Sequence, residues 1–162
     1  MTKLLILSDS HNSPDVVQRI LRDETDVDAL IFLGDGLRDL EQGLTQHPRL
    51  RTYAVAGNCD YGALEPLDGL AAFDKTVVFY THGHMYGVKY DLDTLAQAAA
   101  ARGAEVALFG HTHIPLAEQR GGVFLFNPGS CGRCYTGPDT YGILTLDDGK
   151  VIAHAHKEVP QK

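Results

Sequence analysis

Leu4-Leu5-Ile6-Leu7-Ser8-Asp9-Ser10-His11 is the stretch from which the fold is read. Four consecutive apolar residues, too few for a helix and closed by polar ones, predict a buried strand. A carboxylate and an imidazole follow where the apolar run stops, one residue apart, so both can leave the strand end toward the same side. The pattern returns four times. Apolar runs over 29–33, 52–56, 76–81 and 106–109 end in Gly34-Asp35-Gly36, Gly57-Asn58-Cys59-Asp60, His82-Gly83-His84 and Gly110-His111-Thr112-His113.

The bulk properties narrow the classes. At 162 residues the chain suits one domain, 1–162, with a sizeable core. A net charge of −7 supplies no basic field, which argues against nucleic acid or a membrane surface as partner. Residues 1–7 are too short for a secretory h-region, and no apolar run approaches a membrane span. Cys59, Cys131 and Cys134 make no disulfide framework. The expectation is a reduced, cytoplasmic protein.

Between the runs, Ser13-Pro14-Asp15 has the chemistry of a helix start, with Ser13 as N-cap and Val16, Val17, Ile20 and Leu21 on one face. Leu37, Leu40 and Leu44 predict a second helix. A third, capped by Asp91, is expected to reach about Arg102 and to stop at Gly103. Asp74-Lys75 reads as a hairpin turn, and the last third of the chain as a β-meander turning at Gly121-Gly122 and Asp148-Gly149. Apolar faces on both strands and helices predict an α/β fold of two packed sheets with helices outside.

In α/β architectures ligands gather at the carboxyl edge of the strands, where Asp9, His11, Asp35, Asn58, His82, His111 and His113 are all placed. Two carboxylates, one amide and four imidazoles exceed what a tetrahedral zinc takes, but match two adjacent divalent ions. Such borderline donors suit Mn²⁺, Fe²⁺ or Zn²⁺. Gly34, Gly57, Gly83 and Gly110 flank these residues and are expected to permit tight turns and close approach of an anion. His47, His154 and His156 fall outside the pattern and are read as surface or half-buried structural residues.

Taken in order, Asp9-Ser10-His11, Gly34-Asp35, Gly57-Asn58, His82-Gly83-His84 and Gly110-His111-Thr112-His113 resemble the motif set of the calcineurin-like metallophosphoesterases. Asn127-Pro128-Gly129-Ser130 and the short chain are similar to the small prokaryotic phosphodiesterase branch. The resemblance implies a four-layer α/β/β/α sandwich of two mixed sheets flanked by helices. It also implies a small phosphoester substrate, hydrolysed by a hydroxide bridging two divalent ions, Mn²⁺ first with Fe²⁺, Zn²⁺ or Ni²⁺ as alternatives. Carried over by position, Asp9, His11 and His113 would hold one ion and Asn58, His82 and His111 the other, with Asp35 between them. His84 would stand behind the ligands or near substrate, and Asn12 and Ser130 would hydrogen-bond close by. Ligating imidazoles must be neutral, so occupancy and activity are expected to fall below the ordinary histidine pKa of ~6.5.

The chain departs from the larger family members at Cys59, where they carry a histidine assigned to protonate the leaving group. A thiol is a poor substitute, so either His84 takes that role or leaving-group protonation contributes little. Cys131-Gly132-Arg133-Cys134 has no second cysteine pair and lies in a loop, which reads as two loop thiols rather than a zinc or redox site. Arg133 is either a solvated arginine or a contact for a substrate phosphate. Rival readings are a phosphomonoesterase, a nucleotide pyrophosphatase, or a non-catalytic scaffold like those in membrane-trafficking assemblies. A homo-oligomer formed through an exposed C-terminal strand edge is a further expectation.

Overall fold

The computed structural model describes residues 1–161. In chain order the elements are β1 (Thr2–Leu7), α1 (Val16–Asp23), β2 (Ala29–Phe32), α2 (Leu37–Gly43), β3 (Arg51–Ala54), β4 (Asp68–Phe73) and β5 (Thr76–Thr81). After a single 3₁₀ turn, His84–Tyr86, come α3 (Asp93–Ala101), β6 (Val106–Leu108), β7 (Leu116–Arg120), β8 (Val123–Asn127), β9 (Thr140–Asp147) and β10 (Lys150–Glu158). Two five-stranded mixed sheets result, ordered β10-β9-β1-β2-β3 and β4-β5-β6-β8-β7. β1, β2 and β3 run parallel in the first, and β5, β6 and β8 run parallel in the second.

Strand alternation divides the apolar runs between two faces. Leu4, Ile6, Ile31 and Leu144 of the first sheet meet Val78, Val106, Leu108 and Phe126 of the second in a core between the sheets. The alternate residues Leu5, Leu7, Leu30 and Phe32 pack under Val17, Ile20 and Leu40 of the first two helices. Phe79, Ala107 and Leu125 pack under Leu95, Ala96 and Ala99 of α3. Both faces of the inner strands are therefore covered, which is why the sequence runs apolar there without a polar alternation. The layers are α/β/β/α, as expected.

Three local expectations change. The last four strands form no single meander: β7–β8 is a hairpin of the second sheet, β9–β10 of the first. Residues 128–139 cross between the sheets, passing the edge where the parallel strands end. The amide of Val16 is bonded by the Ser13 carbonyl rather than its hydroxyl, so Ser13-Pro14-Asp15 is a turn ahead of α1. Asp91 stands outside α3, its Oδ1 accepting from the Asp93 amide at 2.5 Å. The Asp74-Lys75 turn holds, with both residues in the left-handed region (φ 48° and 68°) as a two-residue hairpin needs.

His156 is half-buried, stacked on Phe126 at 4.6 Å, and its Nε2–H donates to the Asn127 carbonyl at 2.7 Å. Burial, aided by the neighbouring His154, lowers its pKa below the ordinary histidine value. The unfolded chain takes up this proton first as pH falls. The His156 contribution is thus whole above the unfolded pKa and is lost progressively below it, until the folded pKa is reached. His156→Gln is expected to flatten part of the fall in melting temperature between about pH 7 and pH 5, measured on both proteins across that range.

Candidate metal centre

The carboxyl ends of β1, β2, β5 and β6 open into loops that knit together by backbone hydrogen bonds. Asp9 N donates to Gly34 O (2.9 Å), His11 N to Asp35 O (3.2 Å) and Gly110 N to His82 O (3.0 Å). Asp9, His11, Asn12, Asp35, His111 and His113 all have positive φ, between 44° and 71°. Among the described residues, the other non-glycine cases, Asp74, Lys75 and Asp148, are hairpin turns. Strain gathered in this way at one edge is characteristic of a functional site. Gly57 and Gly110 have a different role from the one expected of them. A methyl group on Gly57 would overlap Asp35 Oδ1, and one on Gly110 would overlap Ser8 Oγ and Asp9 Oδ2. They make room for the protein's own carboxylates.

Two groups of side chains converge here. In one, the ligand atoms of Asp9, His11 and His113 lie within 4.8 Å of one another. In the other, those of Asp35, His82 and His111 do the same. Contacts join the groups: His11 Nε2 is 3.7 Å from Asp35 Oδ2, and His82 Nε2 is 3.9 Å from Asp9 Oδ1. The tautomers of two imidazoles are set from behind, because His82 Nδ1 is 2.6 Å from Leu33 O and His113 Nδ1 is 2.7 Å from Arg133 O. Each Nδ1–H donates to a carbonyl, which turns Nε2 toward the carboxylates. Burial opposes charge on these two imidazoles, but hydrogen bonds with Asp35 and Asp9 outweigh it and raise the pKa of His82 and His113.

Electrostatics agree with a cation site. Burial opposes charge on Asp9, yet the imidazoles of His11 and His113 and the charge of His82 outweigh it and hold the carboxyl well below its usual range. Asp35 is lowered too, burial again being overcome by His82. Burial, then His82, pushes His111 down to about 4. Asp9 Oδ1 is buried and accepts no hydrogen bond among the described residues. His11 Nε2 and His113 Nε2 approach to 3.0 Å, and His82 Nε2 and His111 Nδ1 to 3.2 Å. Lone pairs facing an unsatisfied carboxylate oxygen are the donor set of a divalent ion, and the residues fit one in each group.

Other expected residues lie around these groups. Asn58 is exposed, and its amide donates to Cys59 Sγ at 3.6 Å rather than to Asp35, His82 or His111. Cys59 lies close in, its Sγ within 4.8 Å of ligand atoms of His11 and Asp35. Its backbone N–H donates to Asp35 Oδ1 at 2.7 Å. His84 opens the 3₁₀ turn with its ring 5.4 Å from that of His82, and its buried Nδ1 has no partner among the described residues. Ser130 Oγ donates to Asp9 O at 2.6 Å and accepts from Arg133 N at 2.6 Å, which fixes the backbone behind Asp9. Asn12, His11, Asp35, Cys59 and Arg133 border a depression of about 870 Å³. Cys131 is buried and Cys134 Sγ donates to His113 O at 3.4 Å; both are free thiols.

Sequence reading missed two residues that hold the loops. The Asp60 carboxylate accepts from the amides of Asp35, Gly36, Leu37 and Gly57 at 2.7–3.1 Å, tying the ends of β2 and β3 together at the start of α2. Asn127 donates to Gly110 O (3.2 Å) and Thr112 Oγ1 (3.0 Å), and orients the loop of His111 and His113. Little in the local sequence marks Asp60, since three of its four partners come from 23–25 residues away. Asn127 had a signal in the Asn-Pro-Gly-Ser stretch.

Two sheets feed carboxylates and imidazoles to one edge, which defines a candidate metal-binding α/β protein. The sequence profile of the calcineurin-like phosphoesterase superfamily domain matches residues 2–149. The chain belongs to this superfamily. It is 38% identical over 148 residues to the "Probable metallophosphoesterase YsnB" of Bacillus subtilis, covering 90% of this chain and 85% of that one. It is 34% identical over 177 residues to the "Phosphodiesterase YfcE" of Escherichia coli, covering 94% and 92%. The crystal structure of Chaetomium thermophilum Vps29 superposes with a TM-score of 0.77 at 15% identity, covering 96% and 94%, a likeness of fold alone. Among the described residues, no helix is long and apolar enough to cross a membrane.

Binding to the folded chain alone stabilises it by mass action. Mn²⁺ at a hundred times its Kd is expected to add about 2.7 kcal/mol, which is a rise in melting temperature of roughly 5–10 °C. The rise should be largely lost in Asp9→Asn, with each protein read against its own chelator-treated midpoint.

Proposed function

We propose that the chain is a phosphodiesterase that works with two divalent ions, Mn²⁺ first among them. The observation that carries this reading is the pair of three-residue groups around the unsatisfied Asp9 Oδ1. Asp9, His11 and His113 would hold one ion and Asp35, His82 and His111 the other, with Asp35 also close to His11 of the first group. Asn58 would join the second group only if its exposed side chain turned inward. When bound, the ions activate water as the nucleophile at neutral pH and offset the charge on the phosphoryl oxygens. That charge is what lets a chain of net −7 accept an anion.

The chain's own residues position and exclude. The Leu33 and Arg133 carbonyls keep His82 and His113 in the ligating tautomer, and Asp60 keeps Asp35 in place through the backbone. A diester suits the site better than a monoester. It brings a single negative charge, and the depression has only Arg38 and Arg133 on its lining to meet it among the described residues. The name of YfcE supports the same preference. The two convergent groups of carboxylates and imidazoles favour an enzyme over a non-catalytic scaffold. Three free thiols, Cys59 among them exposed, support a reducing cytoplasmic setting. The deciding assay compares phosphodiesters with phosphomonoesters on Mn²⁺-loaded protein. Diester hydrolysis abolished by chelator is expected, and Asp35→Asn should cost more than the roughly 10–100-fold typical of residues behind the ligands.

Leaving-group protonation contributes little in this site. Burial, then the charge of Asp35, raises the Cys59 thiol pKa, so it keeps its proton. Cys59→His should raise turnover mainly on diesters with poor leaving groups. Rates on a series of aryl and alkyl esters check this, and an equal gain across the series would refute it.

A further inference from the structure

A groove of about 610 Å³ lies beside the loop of His111 and His113, lined by Thr112, Ile114 and Tyr135 and by residues 88–92. Its floor is apolar, built from Val88, Phe109 and Leu116. Two exposed tyrosines are on its lining, Tyr90 (94% exposed) and Tyr135 (64% exposed). An apolar floor with aromatic rings at its margin is a surface suited to a flat apolar group.

The groove adjoins the metal centre through Tyr135 and the loop of His111 and His113. Thr112 and Ile114, which line it, alternate with His111 and His113 along one loop. The Tyr135 ring stacks on His113 with centroids 4.6 Å apart and planes 16° apart, and its backbone N–H reaches His113 O at 3.5 Å. Lys89 borders the groove close enough for its charge to bear on His111. Arg120, also on the lining, is paired with Asp93 and Glu118. A phosphoryl group at the ions would thus have a free cation beside it and an apolar slot beyond, of a volume that suits a small-molecule site.

We propose that this groove receives a planar aromatic ester group of the substrate, stacked against Tyr135 and covered by Tyr90. The proposal rests on the phosphodiesterase reading and narrows its substrate class to aryl or nucleoside esters. Tyr135 and Tyr90 are specificity residues in it, not catalytic ones.

The test is calorimetric binding of non-hydrolysable phosphonates to Mn²⁺-loaded protein, with bis(p-nitrophenyl) phosphate hydrolysis followed on the same sample. Phenylphosphonate is expected to bind about tenfold more tightly than methylphosphonate, the scale of one stacking contact. The phosphonate analogues of adenosine monophosphate and ribose 5-phosphate form a second pair. A gain in either pair that Tyr135→Ala and Tyr90→Ala both reduce supports the groove, and the pair that shows it separates nucleobase from simple aryl group. Tyr90 is almost fully exposed, and the ring stacked on His113 is that of Tyr135, so the Tyr90 variant leaves that contact in place. Equal affinities within both pairs, or a gain that survives both substitutions, overturn the groove. If hydrolysis continues in that case, the phosphodiesterase reading stands. Absence of hydrolysis overturns that reading, and the groove as a substrate site with it. Concentration-dependent self-association lost in Tyr90→Ala, with no aromatic gain, would overturn the proposal in favour of a second copy.

Discussion

Two carboxylates, Asp9 and Asp35, are held in the protein's interior within reach of four imidazoles, and one of their oxygens finds no proton. Buried charge of this kind is costly and must be answered by opposite charge or a metal. The rest of the structure serves this requirement. The parallel strands must end at one edge so that loops from both sheets meet. The loops must turn sharply, so the ligating residues themselves take up left-handed backbone. Glycines must stand where any side chain would fill the carboxylates' places. None of these features stabilises the fold by itself, and the strained residues work against it by an amount on the order of 1–3 kcal/mol each.

The core supplies what the edge withdraws. Three apolar clusters, one between the sheets and one under each helical layer, are built from strands buried on both faces. Burial on that scale tolerates several strained residues at the rim. A second tier of hydrogen bonds then removes freedom from the loops: Asp60 on four amides, Asn127 on the loop of His111, Ser130 behind Asp9. The crossing segment 128–139 is the economical part of this plan. It connects the two sheets and at the same time brings Ser130 and the Arg133 carbonyl to the site.

The architecture was legible because it follows from short-range pattern. Apolar runs without alternation mark doubly covered strands, and the polar residues at their ends point to one edge. The same pattern brought Asp9, His11, Asp35, His82, His111 and His113 into view. What the sequence did not display has long-range causes. Whether β9 follows β8 in the same sheet is decided by a register with β1, more than a hundred residues earlier. Asp60 looks like an ordinary loop acid until its four amide partners are seen. Gly57 and Gly110 were noticed, but the reason for them was not, because it lies in the carboxylates they face.

Asn58 and Cys59 show where pattern and structure part. Both sit at the end of β3, the half-buried edge strand of its sheet, with fewer neighbours to fix the loop beyond it. The Cys59 amide is tied to Asp35 while the Asn58 side chain remains exposed. The backbone of this loop is nonetheless anchored, because the Asp60 carboxylate holds four amides and the Cys59 amide bonds the same Asp35 oxygen that Gly57 leaves room for. The neighbouring depression is bordered by this loop, and the tyrosine-lined groove by that of His111 and His113. Fixing the backbone while leaving the Asn58 side chain in solvent keeps Asp35 in place without requiring any contact from Asn58 itself.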